Sequence, residues 1–311
     1  MINKNIKFKI LKFKNRIFKG RPVLVLVYHR INDVVDFQNA GLTVSVSDFE
    51  KQLIYFKENF EILKLGDDWK KIKKNALVIT FDDGYADNYL NALPLLEKYQ
   101  IPATIFICSY NINSNEEFWW DRLANLYNQL PKKFINLKGK TVDKSQWSYK
   151  VLEKSVRDKN VFKIVENCKK IEELNNVNIE LRESFRSLTT EELIELEKSS
   201  FIDIELHSHS HNHFSYLSFE EQKTDLIKNI SELKKSLNNK KFKYFALPHG
   251  AYNSETLKVI SEENLEGCLL ANNYYSNYKN KFSKKINRIL IPSITGHKLK
   301  KYLNKYIFDL F

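Results

Sequence analysis

The sequence predicts an α/β protein with a parallel sheet and a polar site at the C-terminal ends of its strands. Three observations predict it: short apolar, β-branched runs, helical patterns between successive runs, and acidic or histidine-bearing clusters just past the ends of several runs. The first run, Val23 to Tyr28, is apolar throughout, as a strand covered on both faces must be, and His29 follows it. From Ser47-Asp48 the pattern turns helical, with Phe49, Leu53, Phe56 and Phe60 along one face and Ser47 or Asp48 as N-cap. Ala76 to Phe81 is a second buried strand, followed by Asp82-Asp83-Gly84 and a helix carrying Tyr89, Leu90, Leu93, Leu96 and Tyr99. Pro102 to Cys108 makes a third strand, so a right-handed βαβ crossover is expected.

The stretch from about 116 to 198 opens with Phe118-Trp119-Trp120-Asp121 and reads as a helical insertion without a strong strand. The strand pattern then resumes at Ile202 to Leu206, which ends at a histidine cluster. A helix carrying Leu226, Ile230, Leu233 and Leu237 follows, and then the strand Phe242 to Leu247, leading into Pro248-His249-Gly250. One barrel domain over 21–311 is expected, preceded by a basic segment, 1–20.

Composition narrows the function classes. The 311 residues are 43% hydrophobic and 28% charged, with 8 Gly and 6 Pro, which excludes a disordered or low-complexity chain. Lys+Arg of 50 against Asp+Glu of 38 leaves +12, a balance that favours anionic partners. The lysines are nevertheless spread along the chain, and there is neither a basic recognition helix nor an aromatic-basic RNA motif, so a nucleic-acid partner is not expected. Residues 1–20 interleave Lys4, Lys7, Lys9, Lys12, Lys14, Arg16 and Lys19 with apolar residues, a pattern suited to peripheral contact with an anionic membrane or to a solvated first helix. Three well-separated cysteines, without a CxxC pair, fit a reducing compartment. With no signal-peptide pattern and no membrane-length apolar run, a cytoplasmic location is expected, at the inner face of the membrane if the basic segment binds there.

Two clusters carry chemistry. Asp82 and Asp83 sit where a strand ends and a glycine permits a tight turn, so that one carboxylate can hold a metal while its neighbour takes a proton; an Asx-turn or helix cap is the alternative. His207-Ser208-His209-Ser210-His211-Asn212-His213 places four of the chain's 7 histidines at alternating positions. In an extended segment all four point to one side. In a helix, His207 and His211 share a face, and so do His209 and His213. Two imidazoles and a carboxylate form a three-ligand set that leaves room for water, as catalytic zinc requires.

These residues resemble the polysaccharide deacetylase superfamily, the NodB-homology fold of carbohydrate esterase family 4. Thr80-Phe81-Asp82-Asp83-Gly84 matches its first motif, and His207-Ser208-His209-Ser210-His211 matches its second. The likeness extends to Val27 to Ile31, Phe118 to Asp121, Phe245 to Gly250 and Asn287 to Ile289. It implies a distorted (β/α) barrel with fewer than eight strands, with Zn²⁺ or another divalent ion such as Co²⁺, Ni²⁺ or Mn²⁺ held by Asp83, His207 and His211. By the same resemblance Asp82 is the general base, the backbone N–H at His249 helps hold the oxyanion, and Ser208 orients the histidine loop. Ala246 stands where the family usually has an arginine that steadies the base; Arg288 is the candidate replacement. The family's late Leu-x-His motif, source of the general acid, is not evident. Among His29, His249 and His297, His29 is preferred for that role. Trp119 and Trp120 are either a stacking platform for a sugar ring or core residues. The implied activity is removal of an N-acetyl or N-formyl group from a sugar, nucleotide- or lipid-linked, in capsule or lipopolysaccharide precursor synthesis. The alternative is an inactive barrel that binds a glycan or a biosynthetic partner.

Overall fold

A computed structural model describes residues 21–131, 134–137 and 139–308. The basic segment 1–20 lies outside the described residues. The strands are β1 (Val23–Tyr28), β2 (Arg30–Ile31), β3 (Thr43–Val44), β4 (Glu61–Ile62), β5 (Ala76–Phe81), β6 (Ala103–Ile107), β7 (Phe134–Leu137), β8 (Lys140–Asp143), β9 (Ile202–Leu206), β10 (Tyr244–Ala246), β11 (Gly267–Leu269), β12 (Lys285–Ile286) and β13 (Ile289–Leu290).

The main sheet runs β12-β11-β10-β9-β6-β5-β1-β13, with β4 on the first half of β5, and every pairing in it is parallel. Its two ends belong to one short stretch of chain. Lys285–Ile286 pairs with β11, and three residues later Ile289–Leu290 pairs with β1. The segment 285–290 therefore closes the sheet into a distorted barrel of seven staves, the architecture that the sequence resemblance implied.

Side-chain alternation along the strands divides the apolar residues into two cores. Val23, Val25, Val78, Phe106, Tyr244, Ala246, Leu269 and Ile286 fill the barrel interior, plugged by Leu63, Leu65, Trp69 and Ile72 from the segment around β4. The opposite parity, including Leu24, Leu26, Ile79, Phe81, Ile105 and Ile204, packs outward against helices through Phe49, Leu53, Leu96, Leu193, Leu226, Leu299 and others. The helix Val46–Asn59 is capped by Ser45, whose side chain accepts the Asp48 N–H; the cap expected at Ser47 or Asp48 lies two or three positions too late, because it is Asp48 that fills the third helical position. The helix after β5 begins as a wide turn over Asn88–Ala92 before becoming regular at Leu93–Tyr99.

The region after β6 has a core of its own, built from Leu123, Leu126, Ile135, Leu152, Ile164, Cys168 and Ile171. It contains the helices Trp119–Gln129, Tyr149–Val156 and Val161–Leu174, and also the antiparallel hairpin β7–β8, which the charged pattern of that stretch concealed. The helix Thr190–Lys198, at the end of this stretch, contributes Leu193 and Leu196 to the outer core of the barrel. Among the described residues no helix is long and apolar enough to cross a membrane, and all three cysteines are buried and free.

Candidate active site

Parity explains which side chains meet at the mouth of the barrel. Continuing the inward rows past the strand ends places His29 after Val27, Asp82 after Val78 and Thr80, His207 after Glu205, and Arg288 after Ile286. Asp83 has outward parity, and its backbone breaks the rule. With φ of 75° it leaves the strand in the left-handed region, and Gly84 follows at 89°. The turn brings the second carboxylate back to the mouth. The positive φ is what calls for glycine at this turn; a Cβ there would also press on Ile107 Cδ1 at 3.1 Å, a tight contact.

The histidine loop is neither extended nor helical. Ser208 and His211 both adopt positive φ, 69° and 58°, and Ser208 Oγ accepts the His211 N–H at 2.9 Å. These two reversals aim His207 and His211 at Asp83. Each Nε2 lies 3.3 Å from Asp83 Oδ1. His209 and His213, the alternative pair, diverge: His209 turns to Glu232 and Ser109, and His213 stacks on Tyr216 with ring centres 4.2 Å apart. Left-handed conformations at Asp83, Ser208, His211 and His249 concentrate backbone strain around one spot, as functional sites often do.

The trio has the form of a cation site. Its three candidate donor atoms lie within 4.8 Å of one another and all three residues are buried. Asp83 Oδ1 is buried without an aligned hydrogen-bond partner, and a buried unsatisfied carboxylate oxygen is costly. Two donors about 2.0–2.1 Å from a tetrahedral centre lie about 3.3–3.4 Å apart, matching both 3.3 Å separations. His207 Nδ1 donates to the Ala246 carbonyl at 2.8 Å, which leaves the Nε2 lone pair directed at the site, the usual outer support of a ligating imidazole. Burial opposes the Asp83 charge, but the facing imidazoles of His207 and His211 hold its carboxyl well below the ordinary range. The residues present fit a divalent ion of the zinc type.

Asp82 is held differently. Arg288, wholly buried, grips it with two parallel hydrogen bonds of 2.6 and 2.7 Å. Burial opposes this carboxylate too, and Arg288, with help from His207, keeps it below the usual value. Arg288 is anchored in turn through Nε to the Leu270 carbonyl at 3.0 Å. The interior position on β10 that matches the family's arginine holds Ala246, and the guanidinium arrives instead on the closing segment 285–290.

A cavity of about 300 Å³ opens over these groups, with His29, His249, Trp119 and Trp120 among its walls. His29 has a buried Nδ1 without a partner, and burial lowers its pKa despite the nearby Asp83 and Asp82. His249 sits at φ 57°, and its backbone N–H has no acceptor among the described residues. Burial, with the neighbouring His211 and His213, lowers its side-chain pKa to about 3, so the ring stays neutral. His297 lies in the first turn of the helix Gly296–Phe308 and takes no part in the cavity wall.

Two features of the site are not legible in the sequence. Asn39 and Leu42, from the loop between β2 and β3, complete the wall; nothing in a short irregular loop signals this. Asp121 and Tyr85 fix Trp120. Trp120 Nε1 donates to the Tyr85 hydroxyl at 2.8 Å, Tyr85 donates to Asp121 Oδ2 at 2.5 Å, and the Trp120 ring lies 4.8 Å from His211. Trp120 is thus both core and wall, while Trp119 is the more exposed of the two.

Residues 70–267, more than half of the chain, match the family described as Polysaccharide deacetylase. The Bacillus subtilis protein YxkH is 29% identical over 133 residues, which cover 40% of this chain and 44% of that protein. A Staphylococcus aureus poly-beta-1,6-N-acetyl-D-glucosamine N-deacetylase is 34% identical over 112 residues, 30% of this chain and 39% of that protein. The match thus spans less than half the length of these relatives. The solved structure of the Streptococcus pyogenes deacetylase PplD in complex with acetate superposes with a TM-score of 0.60 at 19% identity, covering 92% of this chain and 98% of that one. IcaB from Ammonifex degensii gives 0.61 at 15% identity, covering 93% and 98%. Both structures share the fold described above.

Proposed function

The chain belongs to the polysaccharide deacetylase family, and from that premise we propose that it hydrolyses the N-acetyl amide of a sugar residue. The observation that carries this reading is the convergence of a clamped carboxylate, Asp82, with the Asp83–His207–His211 trio on the floor of one cavity. A divalent ion at that trio supplies Lewis acidity, polarising a carbonyl and making water a better nucleophile at neutral pH.

The chain's own groups supply the rest. Asp82, ionised and oriented by Arg288, accepts the proton of the attacking water. The water oxygen bonds to the amide carbon, and the free N–H of His249 donates to the carbonyl oxygen as it gains negative charge. His29, neutral on the cavity wall, relays to the sugar nitrogen the proton that Asp82 has accepted as the C–N bond breaks, giving a carboxylic acid, which then ionises, and an amine, with Asp82 and His29 restored to their starting states. Trp119 and Trp120 present aromatic surface to the acyl group and the sugar ring.

Among the described residues the cavity wall contains neither lysine nor arginine, so the group recognised there is a neutral N-acylated sugar. If the substrate is carried on a nucleotide or lipid phosphate, as a precursor would be, that phosphate lies outside the cavity. Contact of segment 1–20 with an anionic membrane, and an inner-face location, belong to the same proposal. Loss of vesicle binding on deletion of those residues supports them.

The test is acetate release from N-acetylglucosamine oligomers, with elemental analysis of the same samples. Wild type is expected to hold about one divalent ion per chain and to release acetate. Asp82→Asn keeps the ion and loses on the order of 10²–10⁴ in rate. A wild type loaded with metal that releases no acyl group from any N-acylated sugar overturns the reading.

A further inference from the structure

The reverse side of the histidine loop carries a second recess, of about 380 Å³, outside the cavity described above. It lies beside the helix Phe219–Ser236 and the turn after β6, and its walls include Ser109, Tyr110, His209, Lys228, Glu232 and Ser236. Nothing in the hydrolytic scheme uses these groups, yet they are arranged around one imidazole. His209 Nδ1 lies 2.9 Å from Glu232 Oε2 and 3.1 Å from Ser109 Oγ. Donation from Nδ1 to the carboxylate fixes the tautomer and leaves Nε2 as an acceptor. That Nε2 has no partner among the described residues. The loop backbone is fixed as well, since the His209 N–H donates to Asp225 Oδ1 at 2.8 Å.

The rest of the recess is amphipathic. Tyr110 is 36% exposed and stands perpendicular to Phe162 and His209, with ring centres 4.7 and 5.8 Å away. Lys228 and Ser236 make no side-chain hydrogen bond among the described residues and are available as donors. One ammonium and one carboxylate, with a neutral imidazole between the apolar walls, give the recess little net charge. That disfavours a phosphate or another strongly charged ligand. A ligand with hydroxyls that both donate and accept, and with a C–H face to lay on an aromatic ring, satisfies every group present.

We propose that this recess binds a second sugar residue of the glycan chain, apart from the residue being hydrolysed. The inference rests on the glycan reading of the active site. The two sites share the histidine loop, with His209 facing the recess and His211 facing the active-site cavity, and Tyr110 shares a small void with Trp119, Trp120 and His211. A glycan long enough to pass around this loop meets both.

The experiment compares N-acetylglucosamine with its β-linked pentasaccharide as substrates for wild type, Tyr110→Ala and Ser236→Trp. The first variant removes the aromatic surface and the second fills the recess; neither touches the residues at Asp82 or Asp83. The expected result is a KM for the pentasaccharide raised roughly tenfold, the scale of one lost aromatic contact, with its kcat and the kinetics of the monosaccharide unchanged. Equal changes for both substrates, or none for either, overturn the proposal. If wild type releases acetate from neither, the hydrolytic reading fails. Calorimetric binding of the pentasaccharide to Asp82→Asn and to Asp82→Asn/Tyr110→Ala then decides the recess: weaker binding in the second supports it, equal binding overturns it. A second zinc equivalent that wild type binds and Glu232→Gln loses would make the recess a cation site and also overturn it.

Discussion

Replacing Arg288 by methionine isolates a wholly buried, bidentate ion pair at the active site. The change keeps an unbranched side chain in the barrel interior and removes the two hydrogen bonds, of 2.6 and 2.7 Å, to Asp82, together with the 3.0 Å bond to the Leu270 carbonyl. Removing one partner of a buried ion pair leaves a buried charge uncompensated and costs about 3–5 kcal/mol. That is a large share of the ~5–15 kcal/mol that holds a typical domain folded. Because Arg288 holds the Asp82 carboxyl below its ordinary value, the stability it contributes is present above the unfolded carboxyl pKa and disappears as pH falls through the lowered one. The difference between wild type and Arg288→Met should therefore be greatest at neutral pH and shrink on acidification. Urea unfolding followed by the fluorescence of the four tryptophans measures it, provided the m-values agree. Adding Asp82→Asn removes the orphaned charge and should restore roughly 2 kcal/mol, a coupling visible only in the double-mutant cycle. A loss below about 1 kcal/mol for Arg288→Met, or strict additivity of the two substitutions, would refute the argument that this pair is tightly coupled.

Burial pushes the Asp121 carboxyl up to about 7; its protonated form is favoured in the fold, so this contribution is complete below the unfolded carboxyl pKa and is lost as pH rises through about 7. Asp121→Asn, always neutral, should flatten the stability profile between pH 5 and 8 by on the order of 2–4 kcal/mol; parallel wild-type and variant profiles would contradict it. Gly250→Ala places a Cβ 2.6 Å from the Ala271 nitrogen at a residue with φ of 65°, and should cost about 1–3 kcal/mol, read as a fall in urea midpoint; an unchanged midpoint counts against it. Metal removal by a chelator should lower the thermal midpoint of wild type, through loss of ligand linkage, but not that of His207→Ala or His211→Ala; equal shifts in all three would place the ion elsewhere.

The strands were legible because parallel-sheet burial imposes unbroken apolar runs, as in Val23 to Tyr28 and Ala76 to Phe81. The clusters at their ends were legible because few structural roles demand Asp82-Asp83-Gly84 or four alternating histidines. The local conformation was not. Convergence of His207 and His211 depends on left-handed turns at Ser208 and His211, and neither residue type announces such a φ. The hairpin β7–β8 was hidden because its strands pack on a small separate core and carry Lys140 and Asp143 at their ends. Arg288 was placed by default, as a charge in search of a partner. Its route to Asp82 became visible only when Ile286 and Ile289 proved to lie on opposite edges of one closing sheet.

That closure bears on how the protein is made. Leu26 and Ile289, paired across the seam, are separated by 263 residues, and a contact so remote in sequence forms late and slowly. Until residues 285–290 leave the ribosome, the edge of β1 lacks its neighbour, open to mispairing or to protection by a chaperone. The same six residues deliver Arg288, so a nascent chain holds Asp82 unclamped until the final stave arrives. Completion of the barrel and arming of its carboxylate are one event, and a chain cut short before that segment forfeits both.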